Sequence, residues 1–354
     1  MTACNDHSLP LHKKAVRALA VHWLILCCLQ ALAGAVTTGV AHAENDTSTA
    51  AAPRTATCQT IESDDARLRC YDLAGLEGAA QTTDSLPTPS LMGTRWELDP
   101  GTQHDLFSIR PHKPIYFLPA RYTSGVNNQP SSPTQGTVPR SLGYTDTEVK
   151  FQLSFKLKAL TLKERFDLWL GYTQLSFFQM YNKSKSAPFR ESNYEPEIMG
   201  VIHTDYDLFG LKGRFINLGI VHQSNGRTDP LSRSWNRVYA QFGFERGAFG
   251  LTIRPWHRIR EDWTDNNNPD ITDYIGRGDI LATYAIGGHN LSLLLRSNLN
   301  FWNFHGATQL NWSFPLYHQI KGYVQLFTGY GESLIDYNHY QTTVGAGVLL
   351  IDWM

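Results

Sequence analysis

From about Val149 onward, apolar and polar side chains alternate along the chain with a period of two. In FQLSFKLKAL the apolar set Phe151, Leu153, Phe155, Leu157 and Ala159 interleaves with Gln152, Ser154, Lys156 and Lys158. That is the pattern of a strand with one apolar and one polar face. RFINLGIV, NRVYAQFGFE, GLTIRP, DILATYAIG, NLSLLLRSNL, KGYVQLFTGY and TTVGAGVLL repeat it, each bounded by Gly, Asn, Pro or Asp turns. About twelve such segments are present, near the ~9–11 residues that a tilted membrane-spanning strand needs. Glycines and aromatics gather at strand ends, as interfacial girdles require. The expected fold class is therefore all-β, an antiparallel transmembrane β-barrel of about 12 strands, with a soluble β-sandwich as the competitor. The last run still alternates at the C-terminus, with Val344, Ala346, Val348 and Leu350 on one face, although it ends on Met354 rather than on an aromatic.

Upstream, the periodicity disappears. Lys13, Lys14 and Arg17 precede an apolar stretch from Ala18 to Gly34, and AHA at 41–43 offers small residues before Glu44. Residues 1–43 thus read as a signal peptide, with a membrane anchor as the rival. Residues 44–110, rich in Ala, Thr, Ser, Pro and Asp, read as a periplasmic N-terminal extension with one short helix around DDARLRCYDLAG. Residues 111–354 are assigned to the barrel, starting with a strand at KPIYFLPARY and a soft loop, SGVNNQPSSPTQGTVPRSLGYT. Of five cysteines, Cys4, Cys27 and Cys28 fall in the signal. Cys58 and Cys70 remain, either as a disulfide or as two free thiols in an oxidising compartment.

Composition changes the picture only by exclusion. A formal net charge of −1 with 18% charged residues argues against a nucleic-acid partner, which needs a clustered basic surface. The mean hydropathy of −0.31 leaves a barrel open, because lipid-facing and lumen-facing residues average out along each strand.

The candidate chemistry lies in VHQSNGRTDPLSRSWNRV, Val221 to Val238. By the two-residue period His222 and Ser224 share the apolar face of Ile216, Leu218 and Ile220, so they point to lipid. Asn236 shares parity with Val238, Ala240, Phe242 and Phe244, again the apolar side. A turn centred near Asp229 and Pro230 sets residue 222 opposite 236, both about seven residues from that centre. Ser224 then flanks His222 along the strand, and the three make a nucleophile, a base and an orienting group: Ser224, His222 and Asn236. The bland reading is a polar cluster at the membrane interface; unpaired polar groups on a lipid face are costly, which favours a function. Gln174, in RFDLWLGYTQLS, lies on the lipid face of Phe166, Leu168, Leu170 and Tyr172 by the same count.

HQSNGRTDPLSRSWNR, together with SAPFRESNYEP, NNNPDIT and GYGESLIDYNH, resembles the outer-membrane phospholipase A family of Gram-negative bacteria, over roughly Lys113 to Met354. The resemblance implies a twelve-stranded barrel in the bacterial outer membrane with its active site on the outer wall. It implies hydrolysis of acyl esters of phospholipids and lysophospholipids, of both A1 and A2 type, with dependence on Ca2+ and activation by homodimerisation. The family's triad falls on Ser224, His222 and Asn236. Its dimer calcium site falls on Ser232, the carbonyl of Arg227 and Ser186 of the partner subunit, and Gln174 is implied to pair with its twin across the dimer. TDNNNPD carries Asn266 and Asn267 where a further carboxylate would serve a second calcium site, so that site is in doubt. Two other readings compete: a non-enzymatic barrel such as a porin or adhesion scaffold, and a different exported esterase with a water-facing site.

Overall fold

The strands close on themselves, so the barrel has no free edge to satisfy in lipid. The computed structural model describes residues 61–71, 90–163, 165–300 and 302–353. The expected signal peptide at 1–43 and Cys58 lie outside the described residues; Cys70, in a helix at 64–71, is disulfide-bonded. The chain divides into one unit ending at Thr88 and another running from Pro89 to Met354. Residues 90–110, grouped with the extension in the sequence reading, belong to this second unit.

In chain order the strands are β1 (Ile109–Pro111), β2 (Ile115–Thr123), the small hairpin β3 (Ser131–Ser132) and β4 (Gly136–Thr137), β5 (Thr147–Leu162), β6 (Phe166–Phe178), β7 (Phe189–Leu208), β8 (Leu211–Ser224), β9 (Ser234–Arg246), β10 (Phe249–Ile259), β11 (Gly278–Ile286), β12 (His289–Ser297), β13 (Gly306–Tyr317), β14 (Ile320–Gly329) and β15 (Gln341–Ile351). From β5 to β15 each strand pairs antiparallel with the next, and β15 and β5 both pair with β2. This closes a barrel of twelve strands, β2 plus β5 to β15, as the alternation predicted. β1 pairs with β5 beyond the end of β2, and extends that first strand past Pro114.

Alternation has turned the barrel inside out relative to a soluble protein. Along β5, Leu153 and Phe155 are exposed, whereas Ser154, Lys156 and Lys158 are buried. Leu170, Ile198, Leu218, Ile220, Val238, Ile253 and Leu326 continue the exposed apolar band around the outside. Water would penalise such a continuous band, and hydrocarbon does not.

The lumen is filled with charge held in pairs, because an unpaired buried ion is far costlier than a matched one. Arg190 reaches Glu148 at 2.9 Å and Asp336 at 2.7 Å, Lys150 reaches Glu332 at 2.8 Å, and His112 reaches Glu197 at 2.7 Å. A short helix, Leu91–Trp96, is capped by the Ser90 side chain and buries Met92 and Trp96 in the lumen core. Among the described residues Lys156 Nζ has no hydrogen-bond partner; it sits 3.2 Å from the centroid of the Trp96 ring and 4.4 Å from that of Trp169, so aromatic faces stand in for one. Lys158 binds Glu97 at 2.9 Å just beyond this helix.

The two ends of the barrel differ. The connections 163–165, 209–210, 247–248, 287–288 and 318–319 are tight, whereas 124–146, 179–188, 225–233, 260–277, 298–305 and 330–340 are long. Short turns mark the periplasmic end and long loops the extracellular end. The Leu91–Trp96 helix belongs to the periplasmic end, since Met92 and Asp99 bond to Glu245 and Arg214 near the tight turns. The 330–340 loop folds into the extracellular end and delivers Glu332 and Asp336 to the lumen.

Candidate active site

β8 and β9 place the sequence-predicted residues together at the extracellular end of the outer wall. Their register pairs His222 with Asn236 and Ser224 with Ser234, so the expected turn centre is correct. His222 is exposed beside Leu218 and Ile220, which confirms its lipid-facing parity. Its Nδ1 lies 2.7 Å from Asn236 Oδ1, within hydrogen-bonding distance. Ser224 lies two residues along on the same strand; among the described residues its hydroxyl makes no hydrogen bond, to His222 or to any other group. Resting sites often tighten this last contact only with substrate in place.

What holds the site rigid is the inward-facing set between the outward-facing residues. Val221 and Trp235 are buried, Trp235 Nε1 donates to Gln223 Oε1 at 2.8 Å, and the Arg237 guanidinium lies 4.1 Å from the Trp235 ring centroid. Trp235 meets Trp256 edge to face at 6.3 Å. Backbones pinned by such packing cannot roll, so the outward side chains keep their directions.

The loop 225–233 is organised by Asn225, which sequence reasoning passed over as an ordinary turn residue. Its buried side chain accepts from the backbone N–H of Arg233 at 2.9 Å and of Arg227 at 3.3 Å. It donates to the Leu231 carbonyl at 2.8 Å and to Glu191 at 3.3 Å. Gly226 follows with φ of +61°, a left-handed conformation that glycine adopts without strain. Its N–H has no partner among the described residues and lies two residues from Ser224. Asn225 N–H, by contrast, is already donated to the Arg233 carbonyl at 3.0 Å.

The other predicted residues are found as follows. Ser232 Oγ accepts a 2.7 Å hydrogen bond from Asn267 Nδ2. Arg227 is tied through its guanidinium to the Arg190 carbonyl at 2.8 Å, and its own carbonyl accepts nothing among the described residues. Ser186 is exposed in the 179–188 loop, with φ of +57°. Gln174 lies on the outer wall opposite Tyr194 and donates to Ser176 at 3.1 Å. Asn266 and Asn267 brace loops: Asn266 Oδ1 accepts from Arg258 at 2.7 Å, and Asn267 Oδ1 accepts from Gln135 at 2.8 Å. Among the described residues there is no cluster of three or more His, Cys, Asp or Glu able to hold a metal. A cation site here would have to use hydroxyl, carbonyl and water oxygens.

Sequence reasoning also missed Glu261, whose carboxylate accepts from Asn236 Nδ2 at 2.9 Å. It lies outside every motif that flagged the site.

A closed barrel braced by ion pairs across its lumen, with convergent polar groups on its lipid-facing wall, points to an integral outer-membrane enzyme. The Phospholipase A1 family model matches residues 92–350, and the chain belongs to that family of phospholipid-hydrolysing enzymes. The phospholipase A1 of Klebsiella pneumoniae is 43% identical over 208 residues, 58% of this chain and 71% of that one. That of Salmonella typhimurium is 39% identical over 254 residues, 71% of this chain and 84% of that one. Among solved structures, outer membrane phospholipase A from Escherichia coli superposes with a TM-score of 0.64 at 37% identity, over 70% of this chain and all of that one. The calcium-bound dimer of the Salmonella typhi outer membrane phospholipase superposes with a TM-score of 0.64 at 38% identity, over 71% of this chain and 95% of that one. The protein is thus an enzyme of the bacterial outer membrane, and the porin, scaffold and water-facing esterase readings fall.

Proposed function

We propose that the protein hydrolyses the acyl ester bonds of phospholipids and lysophospholipids with a Ser224, His222 and Asn236 triad, in a calcium-dependent manner, as a homodimer. The observation that carries this reading is the 2.7 Å contact between His222 Nδ1 and Asn236 Oδ1 on the lipid-facing wall, with Ser224 two residues from the histidine. Asn236 Oδ1 accepts the Nδ1 proton, which leaves Nε2 free as the general base. Ser224 Oγ gives its proton to Nε2 and attacks the ester carbonyl of a lipid lying against the wall. The negative charge that forms on the carbonyl oxygen is met by the unpartnered Gly226 N–H. As the tetrahedral adduct collapses, His222 returns the proton to the departing alcohol oxygen, leaving an acyl group on Ser224. Water, deprotonated by the same histidine, then releases the fatty acid.

The oxygens of Ser232 and Arg227 suit a hard cation: one is a hydroxyl with bonding capacity to spare, the other an unengaged carbonyl. Two protein oxygens fall short of the ~6–8 that calcium takes, which is why Ser186 of the partner subunit is included in the set. If bound by these oxygens, calcium would supply positive charge that favours the developing oxyanion. The calcium-bound dimer of the Salmonella typhi relative supports this reading, and Gln174 on the outer wall is suited to meet its twin there.

Ser224→Ala tests the mechanism. Hydrolysis of phospholipid in mixed micelles with calcium should fall by about three orders of magnitude or more, while the variant keeps its heat-modifiable migration as a folded barrel. Near-normal hydrolysis by a folded Ser224→Ala variant would overturn the triad. His222→Ala should behave alike, and Asn236→Ala should retain more activity.

A further inference from the structure

We infer that Glu261 is a fourth member of this relay, a positioning residue that fixes which end of the Asn236 amide faces the histidine; this rests on the triad reading above. An asparagine presents an NH2 group at one end of its amide and a carbonyl oxygen at the other. Only the carbonyl oxygen selects the imidazole with its proton on Nδ1 and its lone pair on Nε2, toward Ser224. His222 cannot impose that choice, because Nδ1 of a neutral imidazole either donates or accepts. A flipped amide would stabilise the wrong tautomer, with the catalytic nitrogen protonated. Something outside the pair must decide, and an ionised carboxylate, which only accepts, is the group able to do so.

Glu261 meets that need in its geometry. Ile259, the last residue of β10, pairs with Asn236 across β9 and β10, and Glu261 follows two residues beyond it in the 260–277 loop at the extracellular rim. Its Oε1 accepts from Asn236 Nδ2 at 2.9 Å, which forces Oδ1 toward His222. Its other oxygen, Oε2, is held by Arg258 Nη2 at 3.2 Å. Arg258 is itself nearly buried and clamped: Nη2 donates to Asn266 Oδ1 at 2.7 Å, and Nη1 to the carbonyls of Asn268 and Pro269, both at 3.0 Å. The carboxylate is thus one bonded step behind the amide, where it polarises Asn236 Oδ1 toward the imidazolium that forms when Ser224 is deprotonated.

The test is a double-mutant cycle with a spectroscopic arm, on full-length protein refolded in detergent micelles with calcium. Glu261→Ala should lower kcat by about tenfold to a hundredfold with KM little changed, the scale of losing one hydrogen bond to a charged group in the transition state. Glu261→Gln, which keeps the shape but loses the charge and can present the wrong atom, should also lose activity. With Asn236→Asp as the background, the orienting group is a carboxylate with two equivalent oxygens, so removing Glu261 should cost nothing or relieve repulsion. A change that merely loosened the 260–277 loop would cost the same in both backgrounds. Nitrogen-15 spectra of labelled histidine should show His222 protonated at Nδ1 in the parent, and a shift toward the Nε2-protonated form in Glu261→Ala. Equal losses in the two backgrounds would overturn the proposal, as would both Glu261 variants remaining within about twofold of the parent. Those results, together with an inactive Ser224→Ala, reject Glu261 alone; an active Ser224→Ala rejects the triad beneath it.

Discussion

Replacing Asn225 with alanine removes no proposed catalytic atom, yet it should disable the site, and the size of the effect follows from four hydrogen bonds. The Asn225 side chain accepts from Arg233 N at 2.9 Å and Arg227 N at 3.3 Å and donates to Leu231 O at 2.8 Å and Glu191 at 3.3 Å. The two shorter bonds carry most of the weight. Truncation leaves the buried N–H of Arg233 without its acceptor, which costs about 1–3 kcal/mol, and the loss at Leu231 adds about 1 kcal/mol. The closed 225–233 loop should therefore weaken by about 2–4 kcal/mol, a shift of roughly thirtyfold to a thousandfold in its local opening equilibrium. Gly226, Arg227 and Ser232 all ride on that loop, so hydrolysis should fall at least about tenfold, with calcium activation shifted to higher concentration. Hydrogen exchange read by mass spectrometry should show faster exchange confined to 225–233, with β8 and β9 still protected. Unchanged exchange in that loop together with parental activity would refute the assignment of Asn225 as its clamp.

Calcium and assembly should move together: Ser232→Ala should weaken calcium activation and dimer formation alike, and Ser224→Ala should spare both, as sedimentation in detergent across a calcium titration will show. Arginine in place of Leu218, half-exposed on the lipid side, should destabilise the barrel by about 2–4 kcal/mol, measured by reversible unfolding in the presence of lipid vesicles. Glu332, buried in the 330–340 loop against Arg121 and Lys150, is held down to about 2 despite its burial, chiefly by the charge of those two cations. Its folded value lies below the unfolded one, so its stabilisation is complete above the ordinary glutamate range and is lost as pH falls toward 2. The barrel's unfolding midpoint should drop across that interval, and Glu332→Gln should be weaker at neutral pH with a flatter acid limb.

Much of this was legible without coordinates. Strand periodicity is local, since a side chain's face is set by its parity along its own strand, so twelve strands and the outward direction of His222 and Asn236 followed from counting. Their pairing was legible too, because a hairpin with a single turn leaves little freedom in register. Where parity was no guide, in the segments between strands, the reading was poorer. Residues 90–110 carry no alternation and read as part of the extension, yet Trp96 lies in the lumen core against the Lys156 side chain.

The groups that support the site come from segments distant in sequence. Glu261 meets Asn236 because β9 and β10 are neighbours at the rim, and Asn267 meets Ser232 because the 260–277 loop folds over the 225–233 loop. Neither pairing has a signature in spacing: a loop residue's direction depends on turn geometry and on what the neighbouring loop leaves open. The sequence alone determined which faces are wet and which strands carry His222, Ser224 and Asn236, because those depend on short-range periodicity. Only the closed barrel decided what stands behind each of these residues and which charges meet in the lumen, because those contacts are long-range and form only when all twelve strands share one register.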